Sequence, residues 1–283
     1  MTVYLNGAWL PIEEAKVSVL DRGFIYGDGV YELIPVYNRK PFRMVEHLAR
    51  LANSMAEIRL TNPHTPAQWA ALVTEMIAKQ SFDNQGVYFQ VTRGAAKRDH
   101  VFPKDATPTV FMMANPLASP SAAQVAQGVA CVTLQDERWY KNHIKSISLL
   151  GNVLARQAAA DAGAVEVVMF RDGMLTEASA SNVLVVKNGA IAAPKKDNLI
   201  LPGITYGAAY DFAHEIDAPF AIRDITASEV WTADELWLTS STKEVLAITS
   251  LDGKPVGHAD HAGKPGALFH KMHAAFQRAK AAL

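Results

Sequence analysis

Several kinds of feature are scarce in this 283-residue chain, and each scarcity excludes a class of protein. Cys131 is the only cysteine, which excludes an intrachain disulfide framework and a cysteine metal cluster and fits a reducing compartment. The formal net charge is −1 and no long basic run occurs, so neither nucleic acid nor an anionic membrane is an expected partner. The N-terminus lacks a charged leader before a long apolar region, and no uncharged run approaches transmembrane length. We therefore expect a cytoplasmic protein.

Nucleotide and metal motifs are missing as well. Gly27-Asp28-Gly29 lacks the further glycine and the following helix of a dinucleotide fingerprint, and no P-loop ending in lysine occurs. We interpret these glycines as turn residues. His258 and His261 have the spacing of a metal-binding pair, but no third ligand lies near them in the sequence. We interpret them as surface residues and predict no metal site.

The composition that remains is typical of a folded protein with a sizeable core. Apolar residues make up 49% of the chain and charged residues 19%, and the length suggests two domains. A stretch rich in proline, serine and alanine at 116–124 is the best linker candidate, which predicts domains at 1–115 and 125–283. Both halves mix α and β segments without a run of long βαβ units, so the fold class is mixed α/β (α+β) rather than doubly wound.

Local patterns predict the following elements. Strands are predicted around a turn at Asn6-Gly7 within 2–20 and at 29–37, 86–94, 107–114, 129–134, 165–170, 182–187 and 236–238. Helices are predicted at 46–59, from Thr65-Pro66 onward, at about 148–162, after residue 205 and at about 264–281.

A single lysine stands out by its surroundings. Lys145 lies among apolar and small residues in the segment 143–152. Burial of such a lysine would disfavour its ammonium form and make it a nucleophile able to form a Schiff base, for example with pyridoxal phosphate. Glu177 follows in a turn of small residues and could pair with a pyridinium nitrogen. Each feature alone is weak, since most lysines face solvent and Glu177 could simply lie in a turn, but together they suggest this cofactor.

Three segments have groups suited to an anion such as a phosphate. Gly203-Ile204-Thr205 places a glycine and backbone N–H groups at a predicted helix start, and hydroxyls follow a strand at Ser240-Ser241-Thr242. Arg50 on the helix at 46–59 adds a guanidinium suited to bidentate phosphate contact. The alternatives are an ordinary surface arginine and an ordinary polar turn.

A second anion site is suggested by Arg98 and His100, which lie two residues apart on a loop after a strand. Both side chains could point at one small anion, and a substrate carboxylate is a natural ligand for such a pair. A solvated basic loop is the alternative, and spacing alone does not reject it.

Taken together, these motifs resemble those of the class IV (fold type IV) pyridoxal-phosphate aminotransferases, and among them the bacterial D-amino acid aminotransferases. The resemblance covers essentially the whole chain. The motifs that carry it are residues 21–32, 46–51, 88–94, the Arg98/His100 pair, the lysine segment, 181–183, 201–205 and 238–242. The resemblance implies a two-domain architecture, with a smaller N-terminal α/β domain and a larger C-terminal domain built on a mixed sheet or barrel.

The resemblance also implies a role for each candidate residue. Lys145 would hold the cofactor as a Schiff base and move the proton between the substrate Cα and the cofactor, and Glu177 would keep the ring nitrogen protonated. The phosphate would be held by Arg50, Ile204, Thr205 and Ser240 or Ser241, while Leu201 would pack on the ring face. The substrate carboxylate would be bound by Tyr31, Arg98 and His100. The last two would reach in from the partner subunit, which implies a homodimer.

Within the family, the arginine–histidine pair favours D-amino acids and 2-oxo acids as substrates. The alternatives are an L-branched-chain transaminase, an (R)-amine transaminase and a lyase of the aminodeoxychorismate type. Leu33 and Pro35 depart from the residues frequent in D-amino acid enzymes, and both face the region expected for the substrate side chain. Ala178 and Ala180 also depart from the pattern, and the missing hydroxyl at Ala180 is expected to change hydrogen bonding around the cofactor.

Overall fold

The computed structural model describes residues 1–283, and its contacts divide the chain into two compact units. The first unit comprises Met1–Ala118, Ile144–Leu149 and Leu283; the second comprises Ser119–His143 and Leu150–Ala282. The segment that contains Lys145 thus packs with the first unit, although it lies in the predicted second domain. The domain limits at 115 and 124 stay a prediction. None of the helices has the length and apolar character needed to cross a membrane.

The first unit is built on a six-stranded antiparallel sheet. Its strands are β1 (Thr2–Leu5), β2 (Ala8–Pro11), β3 (Gly29–Tyr37), β4 (Lys40–Pro41), β5 (Gln85–Thr92) and β6 (Thr109–Pro116). They lie in the order β2-β1-β6-β5-β3-β4, so the predicted strand at 29–37 has a neighbour on each side.

Three helices complete this unit: α1 (Arg22–Tyr26), α2 (Met44–Glu57) and α3 (Pro66–Lys79). The predicted start of α3 is confirmed, because Thr65 and Gln68 form a reciprocal capping box and Pro66 occupies the first turn. The apolar side of α2 contributes Leu51 and Met55 to the core, both at most 1% exposed. These contacts fix α2 against the sheet, and α2 carries Arg50.

The second unit is built on a nine-stranded mixed sheet. Its strands are β7 (Val129–Gln135), β8 (Glu166–Arg171), β9 (Met174–Leu175), β10 (Asn182–Lys187), β11 (Ala190–Ala193), β12 (Phe220–Ile222), β13 (Glu235–Ser240), β14 (Glu244–Leu251) and β15 (Lys254–Pro255). The order is β12-β11-β10-β13-β14-β7-β8-β9, with β15 also paired to β14. The β11–β12, β14–β7 and β7–β8 pairs are parallel, and the other pairs are antiparallel.

Five helices belong to this unit: α4 (Ala122–Gln127), α5 (Leu150–Asp161), α6 (Ile204–Glu215), α7 (Ala227–Trp231) and α8 (Ala267–Ala281). Helix α4 begins inside the segment predicted as a linker, because Ser121 and Gln124 form a capping box that starts it. The mixed α/β fold class is confirmed, since each unit combines a sheet with helices.

One predicted strand is absent from the structure, and one long strand of the structure was not predicted. The alternation at 16–20 does not form a strand; a 3₁₀ turn at Ile12–Glu14 leads into irregular backbone, and Val19 is 73% exposed. Strand β14 was not predicted, although nearly all its residues are buried. A strand that is buried on both faces has a continuous apolar run rather than an alternating one, so the alternation pattern misses it.

Candidate active site

The main chain of Lys145 is held on two sides within the first unit. Its carbonyl accepts a hydrogen bond from the Tyr31 N–H at 2.9 Å, and its own N–H donates to Ser54 Oγ at 3.1 Å. The next residue, Ser146, forms an isolated antiparallel bridge with Val30. Strand β3 and helix α2 thus fix the backbone from which the lysine side chain projects.

The side chain of Lys145 lies over an aromatic ring. Its Nζ is 4.2 Å from the centroid of the Tyr31 ring, and the Tyr31 ring lies 5.6 Å from that of Tyr88 on the neighbouring strand β5. Burial raises the pKa of Tyr88 to about 12, so this phenol stays neutral. The structure therefore brings the predicted residues Lys145 and Tyr31 together. In the single chain the side chain of Lys145 is partly exposed.

A close approach behind the lysine segment explains one of the turn glycines. Gly27 ends α1 with a left-handed φ of 68°, and Ser148 Oγ donates to its carbonyl at 3.0 Å. A Cβ at Gly27 would lie 2.4 Å from that Oγ, so a larger residue would displace the lysine segment. The interpretation as a turn glycine therefore holds for Gly27, whereas Gly29 is the first residue of strand β3.

Arg50 lies in a buried charge cluster with two residues of the first unit. Its Nε and Nη2 donate to the two carboxylate oxygens of Glu32 at 2.9 and 2.8 Å, and His47 Nδ1 lies 3.0 Å from Glu32 Oε1. Burial by itself would raise the pKa of Glu32, but the Arg50 charge and the His47 contact hold it well below its ordinary value. Arg50 is thus a buried ion-paired residue rather than the surface arginine that was its alternative.

The Glu32 side chain points away from Tyr31, because neighbouring residues of a strand face opposite sides of the sheet. Tyr31 and Leu33 lie on the face with Lys145, and Glu32 faces helix α2. Leu33 is partly exposed, and its N–H donates to Glu32 Oε1 at 2.8 Å. One strand therefore supplies both the surroundings of the lysine and the partner of Arg50.

The Arg98 and His100 side chains are exposed and lie beside the same ring. Arg98 Cζ is 5.5 Å from the centroid of the Tyr26 ring, and the His100 ring is 5.4 Å from it. The structure therefore keeps the two predicted carboxylate ligands together on the loop that follows β5.

In the second unit, Glu177 accepts three hydrogen bonds in a buried position. Arg138 Nη1 donates to Oε1 at 2.9 Å, while Asn182 Nδ2 and the Leu201 N–H donate to Oε2 at 3.0 and 3.1 Å. Burial raises the pKa of Glu177 to about 7, although the Arg138 guanidinium opposes the shift. A buried carboxyl is the partner that a protonated ring nitrogen requires.

Arg138 is itself held by a second carboxylate. Its Nε and Nη2 donate to Asp136 at 3.0 and 2.9 Å, and Thr176 Oγ1 donates to the same carboxylate at 2.8 Å. Burial alone would raise the pKa of Asp136, but these hydrogen bonds keep it below its ordinary value. Arg171 Nη2 lies 3.2 Å from Asp136 Oδ1, so four alternating charges run from Glu177 through Arg138 and Asp136 to Arg171.

The start of helix α6 has the features of an anion site. Gly203 is the N-cap residue and supplies no side-chain cap, so the N–H groups of the first turn, including those of Ile204 and Thr205, are not occupied by a capping side chain. A Cβ at Gly203 would lie 2.1 Å from Asn182 Oδ1, so only glycine fits there. Since Asn182 also donates to Glu177 and to the Leu201 carbonyl, it links the carboxylate to the helix start.

The remaining candidates lie at the end of β13 and just before α6. Ser240 Oγ accepts from the Lys243 N–H at 3.0 Å, and both Ser240 and Ser241 are partly exposed. The neighbouring Thr239 Oγ1 is buried with no hydrogen-bond partner. Leu201 is partly exposed, so its side chain can still contact a bound group.

These donor groups fit pyridoxal phosphate. The cofactor requires an amine, a carboxylate for its ring nitrogen, backbone N–H groups and hydroxyls for its phosphate, and an apolar contact for its ring. The chain has a group of each kind in Lys145, Glu177, the uncapped start of α6, the unpartnered Thr239 hydroxyl and Leu201. The roles of the individual residues stay predictions.

Several residues of these clusters were not predicted. No spacing in the sequence indicates that Arg138 and Asp136 belong with Glu177, because only the tertiary fold brings them together. His47 and Glu32 had a signal that could have been used: His47 and Arg50 interrupt the apolar stripe of α2 at buried positions. An arginine on a buried helix face requires an opposite charge, and Glu32 is that charge.

Comparison with known proteins identifies the family. The model of the class IV amino-transferases matches residues 29–251, and the chain belongs to this family. It is therefore a pyridoxal-phosphate-dependent aminotransferase, and the predicted resemblance and cofactor are confirmed. Among its relatives, the D-alanine aminotransferase of Bacillus licheniformis is 37% identical over 277 residues, which is 98% of this chain and 96% of the relative. That of Listeria innocua is 38% identical over 96% of this chain and 94% of its own length.

Solved structures confirm the fold. The branched-chain amino acid aminotransferase of Escherichia coli superposes with a TM-score of 0.90 at 23% identity, over 98% of this chain and 93% of that one. A fold IV transaminase of Curtobacterium pusillum has a TM-score of 0.82 at 28% identity, over 95% of this chain and 92% of that one. The first similarity concerns the fold alone, because its sequence identity is low.

Proposed function

We propose that this protein is a D-amino acid transaminase, which moves the amino group of a D-amino acid such as D-alanine to a 2-oxo acid such as 2-oxoglutarate. The observation that carries the proposal is the agreement among its relatives. D-alanine aminotransferases of three bacterial genera are 35–38% identical to this chain, and each alignment covers at least 96% of it. The exposed Arg98 and His100 support it, because they offer charge and hydrogen bonds to a substrate carboxylate.

The residues predicted from the family resemblance would bind the cofactor. Lys145 would hold its aldehyde carbon, Glu177 would face its ring nitrogen, and the start of α6 with Arg50 and the hydroxyls after β13 would hold its phosphate. When bound, the cofactor supplies an electron sink that acidifies the substrate Cα–H bond.

The chain's own residues would then control the proton and the substrate. Lys145 Nζ would take the proton from the substrate Cα and return it on the product side, acting as general base and then general acid. The Tyr31 ring 4.2 Å away limits where that amine can lie. Arg98 and His100 would bind the carboxylate, and Leu33, on the same face as Tyr31, would contact the substrate side chain.

We further propose that the protein is a homodimer. Arg98 and His100 are exposed in the single chain, and so are large apolar side chains on the same loop and on α1, whose Tyr26 ring lies beside the pair: Val101 and Phe24 are each 73% exposed. A second copy covering this surface would exclude water from it and bring the pair to its active site. A cytoplasmic location is the part of the proposal that rests on sequence composition alone.

The test is the visible absorption spectrum of the purified holoenzyme before and after addition of D-alanine, with L-leucine as the parallel control. We expect loss of the cofactor band with D-alanine and no change with L-leucine. Bleaching by L-leucine alone would contradict the proposal and favour a branched-chain enzyme. A cofactor band that neither amino acid changes would favour an amine transaminase or a lyase.

Replacement of the lysine tests its role separately. Lys145→Ala removes the amine that moves the proton, so we expect turnover of D-alanine to fall by at least about a thousandfold. Lys141→Ala is the control, because Lys141 is an exposed lysine of the second unit with no predicted role and should keep full activity. Substantial turnover by the Lys145 variant would contradict the assignment.

A further inference from the structure

The loop formed by residues 98–102, called here the carboxylate loop, has its main chain held by one buried arginine. Arg22 is 4% exposed, and its Nη1 donates to the carbonyl of Asp99 at 2.5 Å and that of Val101 at 3.5 Å. Its Nη2 donates to the His100 carbonyl at 3.5 Å. Three consecutive carbonyls of a loop without regular structure therefore point at a single guanidinium.

Arg22 is fixed in turn by a carboxylate. Arg22 Nε donates to Asp28 Oδ2 at 2.7 Å, and Arg93 donates to both oxygens of Asp28 at 2.8 and 3.0 Å. Burial by itself would raise the pKa of Asp28, but the hydrogen bonds from Arg93 and Arg22 hold it below its ordinary value. Charge-assisted contacts of this kind restrict both guanidinium groups, and the contact of Arg93 is bidentate.

The far end of the loop contacts the second arginine. Arg93 Cζ lies 3.7 Å from the centroid of the Phe102 ring, and its Nη2 and Nη1 donate to the carbonyls of Ile58 and Arg59 at 2.8 and 3.1 Å. Arg93 thus connects the loop to the end of helix α2, and Asp28 joins the two arginines. We call Arg22, Asp28 and Arg93 the brace.

The brace acts on the main chain and leaves the two functional side chains exposed. Arg98 and His100 project from the braced backbone and lie beside the Tyr26 ring, at 5.5 and 5.4 Å. Two neighbouring groups that carry or can acquire positive charge repel each other in the absence of an anion, and a free loop would separate them. A main chain held at three carbonyls keeps them together before the anion arrives, which lowers the ordering cost of binding.

We propose that Arg22, Asp28 and Arg93 are positioning residues for recognition of the substrate carboxylate. The inference rests on the proposed function, because that function assigns the carboxylate to Arg98 and His100. The brace touches neither substrate nor cofactor; it sets the place from which the two ligands act.

Arg22→Lys is the most direct test, because lysine keeps the charge but is a point donor that cannot bind Asp28 and three carbonyls together. Loss of these charge-assisted hydrogen bonds should raise KM for D-alanine roughly tenfold or more, with kcat within about twofold. Hydrogen–deuterium exchange of the holoenzyme, measured on the amides of 98–102, should be faster by a similar factor.

Arg39→Lys is the matched control. Arg39 braces another loop of the same unit, where its guanidinium donates to the carbonyls of Ile77, Gln80 and Phe82 at 2.8 to 3.3 Å. This variant should speed exchange in 77–82 and leave KM for D-alanine unchanged. Phe102→Leu serves as a second variant that keeps all buried charges. It removes the cation–π contacts of the Phe102 ring with Arg93 and Arg59, at 3.7 and 5.0 Å, and we expect KM to rise about two- to fivefold.

The outcomes separate the two proposals. A parent enzyme that does not turn over D-alanine overturns the proposed function, whatever the exchange data show. If the parent is active, an unchanged KM in both Arg22→Lys and Phe102→Leu overturns the positioning role. Unchanged exchange in 98–102 in the Arg22 variant would show that the hydrogen bonds do not hold the loop, and it overturns the inference as well.

Discussion

The two units each bury a glutamate against an arginine, yet the two carboxyls differ in the direction of their pKa. Glu32 in the first unit is 0% exposed and its pKa is held well below the ordinary value. Glu177 in the second unit is 4% exposed and its pKa is raised to about 7. Burial costs the charged form of both, so the difference lies in what surrounds them.

The two carboxylates differ in how many contacts each makes with a neighbouring arginine or histidine. Arg50 contacts both oxygens of Glu32, and His47 adds a further contact. Glu177 receives one contact from Arg138, whose other donors bind Asp136, and the Asp136 charge itself raises the pKa of Glu177. An arginine whose donors are divided between two carboxylates stabilises each one less than an arginine that binds both oxygens of one carboxylate. The surroundings of Glu32 therefore keep its carboxylate charged. Those of Glu177 let its carboxyl gain or lose a proton near pH 7.

The largest effect should come from removing the fixed charge. Glu32→Gln leaves the Arg50 cation buried without its carboxylate, so we expect the free energy of unfolding to fall by about 3–5 kcal/mol. Urea unfolding followed by circular dichroism measures it. Glu46→Gln on the same helix is the control, because the Arg43–Glu46 pair is 3.5 Å long and its glutamate side chain is 48% exposed; that change should lie below about 1 kcal/mol. Equal effects of the two substitutions would contradict the comparison.

A smaller effect should appear in the pH dependence of stability. The folded pKa of Glu177 is about 7, against an ordinary value of 4.5, so its contribution is fully present below about pH 4.5 and is lost as pH rises through 7. The difference between these two pKa values corresponds to about 3 kcal/mol of unfolding free energy. We expect Glu177→Gln to remove this loss in cofactor-free protein, measured as the free energy of unfolding from pH 4.5 to 8. A parent and variant with parallel profiles over that range would show that the pKa of Glu177 is not raised.

The smallest expected effect is a difference between substitutions of the two charged neighbours of Glu177, Arg138 and Asp136. Arg138→Gln removes the cation that opposes the raised pKa, and Asp136→Asn removes an anion that adds to it. The pH-dependent part of the unfolding free energy should therefore grow in the first variant and shrink in the second, each by roughly 1 kcal/mol. The same measurement of the unfolding free energy from pH 4.5 to 8 tests this prediction. Each variant's change with pH is compared with that of the parent, so a uniform loss of stability does not affect the result. Shifts of the same sign would contradict the account of the shared arginine.

Local sequence predicted much of the fold for identifiable reasons. The spacing of Leu51 and Met55 on α2 and the Thr65-Pro66 start of α3 depend on contacts within a few residues, so a helix is readable from each. Strand β14 was missed because burial on both faces removes the alternation that marks a strand. The alternation at 16–20 failed in the opposite way, since a pattern alone does not provide a strand partner.

The sequence by itself determined the family, the cofactor and the candidate residues, because these follow from ordered motifs that need no geometry. Only the tertiary structure decided which charges meet. Glu32 and Arg50 are 18 residues apart in the chain, and Arg138 and Glu177 are 39 apart. Whether a buried carboxyl keeps its charge depends on the few ångströms between it and each neighbouring charge, since electrostatic energy depends on separation and solvent exposure rather than on position along the chain.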